Sequence, residues 1–361
     1  MNAQRSGESI IQQDIGLIAG EPLPWERFAG ATVLVTGAAG FLPAYMVETI
    51  LYLNREVLSK PAHVIALVRS EERARERLAR YAGRPDLEIV VQNVSDPLAI
   101  STHLDFIIHA ASQASPLYYR TDPVGTLLPN VLGTYRLLEA ARECGCRGFL
   151  FFSSGEIYGA ARDNAAAIRE HEGGYLDPAD LRSCYGESKR MGETMCVSWA
   201  SQFGVPTRMV RPFHTYGPGM RLDDGRVFAD FVRDILKGGP IVLHSDGRAR
   251  RSFCYLADAV AGFFTVLLKG EIGQAYNVAN PDGECSIGEL ADRLANIYNV
   301  EGVYVERRAR GESNYLSSPI GGSRPSIEKL KALGWEARTT IEEGFQRTVR
   351  SYREGTISKK E

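Results

Sequence analysis

The chain of 361 residues is 44% hydrophobic and 24% charged, with a formal net charge of -2 and the two signs well mixed. That balance suits a globular protein and leaves neither a basic footprint for nucleic acid nor a polybasic membrane patch. No apolar run approaches the roughly 18 residues of a membrane span and the N-terminal stretch lacks a signal-peptide pattern, so the protein is expected to be cytoplasmic, with no nucleic acid and no membrane among its partners.

Residues 1–28 read as a polar-to-mixed N-terminal arm. From residue 29 the spacing predicts strands at Val33–Val35, Val64–Val68, Glu88–Val91, Phe106–His109, Phe149–Phe152 and Thr207–Arg211. These are nearly uninterrupted apolar runs, as in parallel strands covered on both faces. Helices are predicted at Ala44–Leu53, Glu71–Tyr81, Val124–Glu143 and Gly186–Phe203. Repeated βα units make the fold class α/β, a Rossmann-type doubly wound parallel sheet that occupies residues 29–212. Beyond residue 212 the pattern loosens into loops at Gly217–Gly225 and Gly238–Arg250 and helices at Val227–Leu236 and Ile287–Tyr298. Residues 213–361 are therefore expected to form a smaller, mainly substrate-binding C-terminal domain, with a strand near 275–279 returning to the sheet. The six cysteines (Cys144, Cys146, Cys184, Cys196, Cys254 and Cys285) lack disulfide density, and Cys144-Gly145-Cys146 has no second pair for zinc. Reduced thiols and no metal site are expected.

The first strand runs into TGAAGF, where Gly37 and Gly40 permit a tight turn and close approach of a pyrophosphate to a helix N-terminus. The N–H groups of Phe41 and Leu42 are candidates for phosphate. Pro43 stands where a third glycine is usual, a position in the first helical turn that tolerates proline. At the end of the second strand, an acidic residue would hold the ribose hydroxyl. Here Arg69 and Ser70 stand instead, which leaves NADP open beside NAD. Asn93 and Val94 are candidates for the adenine edge, and Ala110, Ala111 and Ser112 for the middle of the cofactor.

Tyr185 and Lys189 form Y-x-x-x-K, a spacing that puts both on one helix face. An ammonium beside a phenol favours phenolate, so the pair can take a proton from a sugar hydroxyl while nicotinamide takes hydride from the same carbon. Ser154, at the end of the fifth strand in SSGEIYG, is the hydroxyl partner; Ser153 adjoins the cofactor. Glu156 is a second acid/base candidate, and Tyr158 is assigned to packing.

With these residues in place, the chain resembles the extended short-chain dehydrogenase/reductases of the nucleotide-sugar epimerase/dehydratase family over residues 30–350. The likeness rests on TGAAGF, IIHAASQASPLYY, PVGTLLPNVLGTYRLLEAAR, SSGEIYG, CYGESKRMGET, RPFHTYGPGM, RRSFCYLAD and YNVANP. Within it, Ala114-Ser115-Pro116, CYGESKR and Asp224-Gly225-Arg226-Val227 are most similar to UDP-glucuronate decarboxylases. The resemblance implies an NAD-dependent enzyme acting on a nucleotide-diphosphate sugar through a 4-keto intermediate, with Tyr185 as base, Lys189 as its partner and Ser154 sharing the proton. It implies Glu156 and Arg251 at the sugar C6 end, and substrate contacts from Ser115, Tyr119, His214, Arg226, Arg251 and Arg324. It also implies a homodimer formed through the helices at Val124–Glu143 and Gly186–Phe203. Gly155 replaces the Ser of decarboxylases and the Asp of dehydratases, and His214 replaces an Asn. A 4-epimerase and a 4,6-dehydratase therefore remain alternatives, with a non-catalytic cofactor-binding protein as the reading from another class.

Overall fold

The computed structural model describes residues 8–160, 167–308 and 324–357. The chain opens with α1 (Ile10–Ala19) and then alternates β1 (Thr32–Thr36), α2 (Phe41–Glu56), β2 (His63–Val68), α3 (Glu71–Arg77), β3 (Leu87–Val91) and β4 (Phe106–His109). There follow α4 (Pro116–Thr121), α5 (Pro123–Leu128), one π turn at Pro129–Gly133, α6 (Thr134–Cys144), β5 (Gly148–Phe152), α7 (Ser183–Phe203) and β6 (Thr207–Pro212). The remainder is β7 (His214–Tyr216), α8 (Val227–Leu236), β8 (Ile241–Leu243), β9 (Arg250–Tyr255), α9 (Leu256–Lys269) and β10 (Gln274–Val278). The chain finishes with β11 (Glu284–Ser286), α10 (Ile287–Ile297), β12 (Val305–Arg307), α11 (Glu328–Lys331) and α12 (Ile341–Ile357).

Seven strands form one parallel sheet in the order β10-β6-β5-β4-β1-β2-β3. Chain order reverses at β1, which pairs β2 on one side (Val33 opposite Val64) and β4 on the other (Val33 opposite Phe106). In open α/β sheets a ligand crevice forms at such a switch point, beyond the carboxyl ends of the strands. Alternate side chains feed two cores. Val33, Val35, Phe106, Ile108, Leu150 and Phe152 pack with Tyr45 of α2 and Phe263 and Phe264 of α9. Leu34, Ile107, Phe149 and Phe151 face Leu137 and Leu138 of α6 and Cys196 of α7. β3 departs from the expectation of strands buried on both faces, because it is the sheet edge: Ile89 and Val91 are exposed. A small sheet β11-β9-β7 and a pair β12-β8 lie outside the large one. Among the described residues no helix is long and apolar enough to cross a membrane.

From residue 8 onward the N-terminal arm is structured. Ser9 and Gln12 close a capping box on α1, whose Ile10, Ile15 and Ile18 are buried. Asp14, on the same helix, is wholly buried. Its carboxylate accepts from Arg347 Nη2 of α12 (2.6 Å), Tyr255 Oη (2.7 Å) and Tyr45 Oη of α2 (3.3 Å). Burial lifts the Asp14 carboxyl above its ordinary range, and the Arg347 charge and hydrogen bonds oppose that rise. Removing the guanidinium would leave a buried charge without its counter-ion. Arg347→Met is therefore expected to cost about 3–5 kcal/mol in urea unfolding, and adding Asp14→Asn to recover part of that loss.

Candidate active site

β1 ends in a glycine turn that only a bare backbone can make. Gly37 has φ +68 and donates its N–H to Leu67 O (2.9 Å). A Cβ at Gly37 would stand 2.8 Å from Ala111 Cα, so the loop after β4 lies directly against the turn. Gly40 caps α2 in extended conformation, and Ala44 N–H reaches Gly40 O at 3.1 Å. Pro43 occupies a first-turn position whose N–H has no helical partner, so α2 begins undisturbed at Phe41. Opposite the turn, the buried His109 bridges Thr36 Oγ1 (2.9 Å), Pro129 O and Thr134 Oγ1 (both 3.1 Å), fixing the end of β4 where Ala110, Ala111 and Ser112 follow. Burial pushes the His109 ring down to about 3, so it acts as a neutral strut.

The hydroxyls of Ser112 and Ser153 are buried without partners. Together with the Gly37 cradle and the open N-terminus of α2, they fit a dinucleotide laid across the switch point. Arg69 is exposed at the end of β2, and Ser70 caps α3. The Arg69 charge falls on Asp122, whose carboxyl is held low first by the Gln113 amide, next by Gly125 N–H and less by Arg69. Asn93 is exposed and folds its Oδ1 onto Ser95 N–H (3.1 Å), while Val94 is buried against Gly133.

Tyr185 and Lys189 share one face of α7, both almost wholly buried. Lys189 Nζ donates to Phe152 O at 2.6 Å, and so pins α7 to the last residue of β5. Ser154, two residues on, hydrogen-bonds the Tyr185 phenol and also accepts from Glu156 N–H (3.2 Å). Burial raises Tyr185 to about 12, against which Ser154, Arg226 and Arg182 pull downward while Glu156 pushes up. Burial lowers Lys189 to about 7, with Glu193 opposing. Lys189 Nζ also lies over the Tyr185 ring, 5.7 Å from its centroid, so the ammonium stands beside the phenol while donating to the carbonyl.

Tyr119 stacks on Tyr185 with ring centroids 4.9 Å apart at 16°. Arg182 lies over the Tyr119 ring at 4.7 Å and pairs with Glu156 Oε2 at 2.7 Å. Tyr158 is buried behind them, donating to Asn277 Oδ1 (2.6 Å) and accepting from Arg211 Nη1 (2.7 Å), while Arg211 grips Glu193 with two bonds. On the other side of the cleft, Ser115 Oγ donates to Asp224 O (2.8 Å) and Arg226 Nη2 to Ala114 O (3.3 Å). His214 follows Phe213 and is acted on by Arg226 and Arg251. A Cβ on Gly155 would meet the Phe213 ring at 3.0–3.2 Å, so this ring takes the place a side chain would need.

The chain matches the NAD dependent epimerase/dehydratase family over residues 33–279. It is 34% identical over 316 residues to UDP-glucuronic acid decarboxylase 6 of Arabidopsis thaliana, covering 87% of this chain and 86% of that protein. The chain belongs to the NAD dependent epimerase/dehydratase family. Its fold is also that of the epimerase Mth375 from Methanothermobacter thermautotrophicus (TM-score 0.78, 22% identity, 97% of each chain). A double mutant of DesIV, a dTDP-glucose 4,6-dehydratase from Streptomyces venezuelae solved with NAD, gives TM-score 0.74 at 24% identity over 90% of this chain and 98% of that one. The protein is thus an NAD-dependent enzyme of the extended short-chain dehydrogenase/reductase type, and NAD is its cofactor.

In this family member, the glycine turn, Ala110–Ser112, Ser153, Ser154 and Glu156 follow β1, β4 and β5, and Arg69 and Asn93 follow β2 and β3. His214 and Arg251 stand on β7 and β9, and Arg226 at the start of α8. Arg324 lines a cavity of about 640 Å³ beside Arg169, Lys331 and Glu336. The sequence reading missed Arg182, although it precedes Tyr185 by one helical turn, a spacing that brings side chains together. It also missed Asp224 as the link to Ser115. The turn is the sharpest test of the cofactor cradle. Gly37→Ala is expected to cost about 1–3 kcal/mol through the left-handed conformation and to cut the NAD retained at purification, read by chromatography of released nucleotide.

Proposed function

We propose that this enzyme is a UDP-glucuronate decarboxylase working through a 4-keto sugar, with Tyr185, Lys189, Ser154 and Glu156 as its catalytic group. The observation that carries this reading is the 34% identity to UDP-glucuronic acid decarboxylase 6 along 87% of the chain. NAD, when bound, accepts a hydride from sugar C4 and later returns it. As phenolate, Tyr185 takes the proton of the C4 hydroxyl at its Oη and becomes the phenol, and the Ser154 hydroxyl bonded to it shares that proton. The resulting ketone lies β to the C6 carboxylate. The C5–C6 bond then breaks, carbon dioxide leaves, and its electron pair passes to the C4 oxygen as an enolate. A proton taken from solvent water adds at C5 and restores the ketone, and Tyr185 gives its own proton back to the C4 oxygen as hydride returns. Arg226, Arg251 and Arg182 supply the positive charge that a nucleoside diphosphate ester of a uronic acid requires.

The Glu156–Arg182 pair and the bare Gly155 argue against a dehydratase, which needs an acid to protonate departing water. Gly155 also favours the second reading, a 4-epimerase, because C4 oxidation and reduction ask nothing of that position. The buried Lys189 and the Ser154–Tyr185 bond support catalysis over a passive cofactor-binding role. Incubation with UDP-glucuronate followed by mass spectrometry separates the readings: loss of carbon dioxide is expected, whereas unchanged mass with altered stereochemistry would establish the epimerase. Tyr185→Phe is expected to lower turnover at least about a hundredfold with the thermal midpoint unchanged; near-normal turnover would remove Tyr185 as base.

The homodimer is part of the same proposal. Val124 and Leu128 of α5, Tyr135 of α6, and Met191, Val197 and Phe203 of α7 are exposed, an apolar set on the helices the family resemblance assigns to the two-fold. Light scattering is expected to give twice the chain mass, and Leu128→Asp combined with Val197→Asp to shift it toward the monomer.

A further inference from the structure

The ring of Tyr185 is both the start and the end of one path of contacts. Tyr119 of α4 stacks on it, 16° from parallel with 4.9 Å between centroids. Arg182, the N-cap residue of α7, stands three positions before Tyr185 and lies over that same Tyr119 ring at 4.7 Å. Its Nη2 donates to Glu156 Oε2 at 2.7 Å. The Glu156 N–H donates to Ser154 Oγ at 3.2 Å, and Ser154 bonds the Tyr185 phenol. The path is pinned from outside as well. Asp180 Oδ1 accepts the Arg182 backbone N–H at 2.9 Å, and the Tyr119 carbonyl accepts from Cys184 Sγ at 3.9 Å. Among the described residues the buried Arg182 Nε has no hydrogen-bond partner. Where a buried N–H lacks an acceptor, an aromatic face is the next best surface for it, and the guanidinium is seated on Tyr119.

A catalytic base needs a fixed place and a favourable charge. A phenol turns about two torsions, and a displacement of about 1 Å at a reacting atom can cost about a hundredfold in rate. A near-parallel ring packed on the phenol restricts both torsions. Its charge depends on the groups that face it. Arg182 and Lys189 come from α7, the lysine 5.7 Å from the ring centroid. Tyr119 comes from α4, and burial lifts its phenol so that it stays neutral. Ser154 and Glu156 come from the turn after β5, and Arg226 from the start of α8. A neutral ring turns its negative π face to a stacked phenolate, which opposes ionisation. A guanidinium seated on that ring offsets the effect.

We propose that Tyr119 and Arg182 are positioning residues for the base: the Tyr119 ring, with the Arg182 guanidinium seated on it, sets the plane of the Tyr185 phenol and brings that positive charge to bear on the phenolate. Neither residue makes or breaks a bond in the reaction. The proposal rests on Tyr185 as base in the nucleotide-sugar reading above. It gives Arg182 a task beyond its share of the positive charge in the cleft. For Tyr119 it separates the ring, which acts on the phenol, from the hydroxyl.

The test compares Tyr119→Leu, Tyr119→Phe, Arg182→Met and the double variant Tyr119→Leu/Arg182→Met with the parent, all loaded with NAD. They are assayed between pH 6 and 9 on whichever of UDP-glucuronate, UDP-glucose and dTDP-glucose the parent turns over. Tyr119→Leu is expected to lower kcat about ten- to thirtyfold while KM changes by less than about threefold. The acid limb of its kcat profile is expected to move up by about half a pH unit to one unit, because the phenol ionises less readily without the cation behind its neighbour. Arg182→Met is expected to move the limb the same way. Tyr119→Phe restores the ring alone and is expected to recover at least about fivefold of the kcat lost in Tyr119→Leu. The double variant is expected to stay within about twofold of Tyr119→Leu in kcat, since the guanidinium then has no ring to act through. A nuclear magnetic resonance titration of isotopically labelled tyrosine, with the Tyr185 line assigned by its absence from Tyr185→Phe, reads the phenol without substrate and is expected to show the same upward shift. Should Tyr119→Leu lose its NAD, Arg182→Met decides. An unmoved limb and an unmoved phenol titration, or a rise in KM alone, overturn the proposal and leave the nucleotide-sugar reading standing. Near-normal turnover by Tyr185→Phe overturns Tyr185 as base, and the proposal with it. If the parent turns over none of the three esters, the nucleotide-sugar reading falls and the phenol titration alone decides the proposal.

Discussion

One ammonium-to-carbonyl bond sets the geometry on which the site depends. Lys189 Nζ reaches Phe152 O at 2.6 Å, and this locks the register of α7 against the end of β5. Tyr185 stands one turn before the lysine, and Ser154 two residues after the carbonyl. The bond that fixes one pair therefore brings the other together. A buried cation is costly unless its protons are used, and here Glu193, four residues on, adds the compensating charge. Glu193 is itself gripped by Arg211, which in turn holds Tyr158 and, through it, Asn277 of β10. The polar chain behind the cleft thus runs from α7 to the far edge of the sheet without a break.

The cleft is bridged as well as lined. The Ser115–Asp224 and Arg226–Ala114 contacts tie the loop after β4 to the segment before α8. Both arginines that act on His214 are held at elements outside the seven-stranded sheet, whereas Tyr185, Ser154 and the glycine turn belong to it. The two sets of residues therefore stand on different elements of the fold.

Much of this was legible in the sequence because the signals were local. Phe106–His109 and Val227–Leu236 are found with the predicted limits, and Gly37, Tyr185 and Lys189 declare themselves by spacing to a strand end or along one helix. What escaped was non-local. α9 is apolar nearly all round, so it carries no stripe of period 3.6 to read. α1 owes its place to Arg347, and the site value of Arg182 depends on Tyr119 and Glu156, both distant in sequence.

The Asp14 cluster bears on how the chain comes to be folded. Its members are Asp14 and Tyr45 near the start, Tyr255 well beyond the middle, and Arg347 in the last helix. Asp14 and Arg347 are separated by 333 residues. A chain leaving the ribosome from its N-terminus must carry α1, with its apolar face and its acid, through the synthesis of the 333 residues that separate Asp14 from Arg347 before that counter-charge exists. The parallel sheet can assemble strand by strand during that time; the first helix can be sealed only by the last.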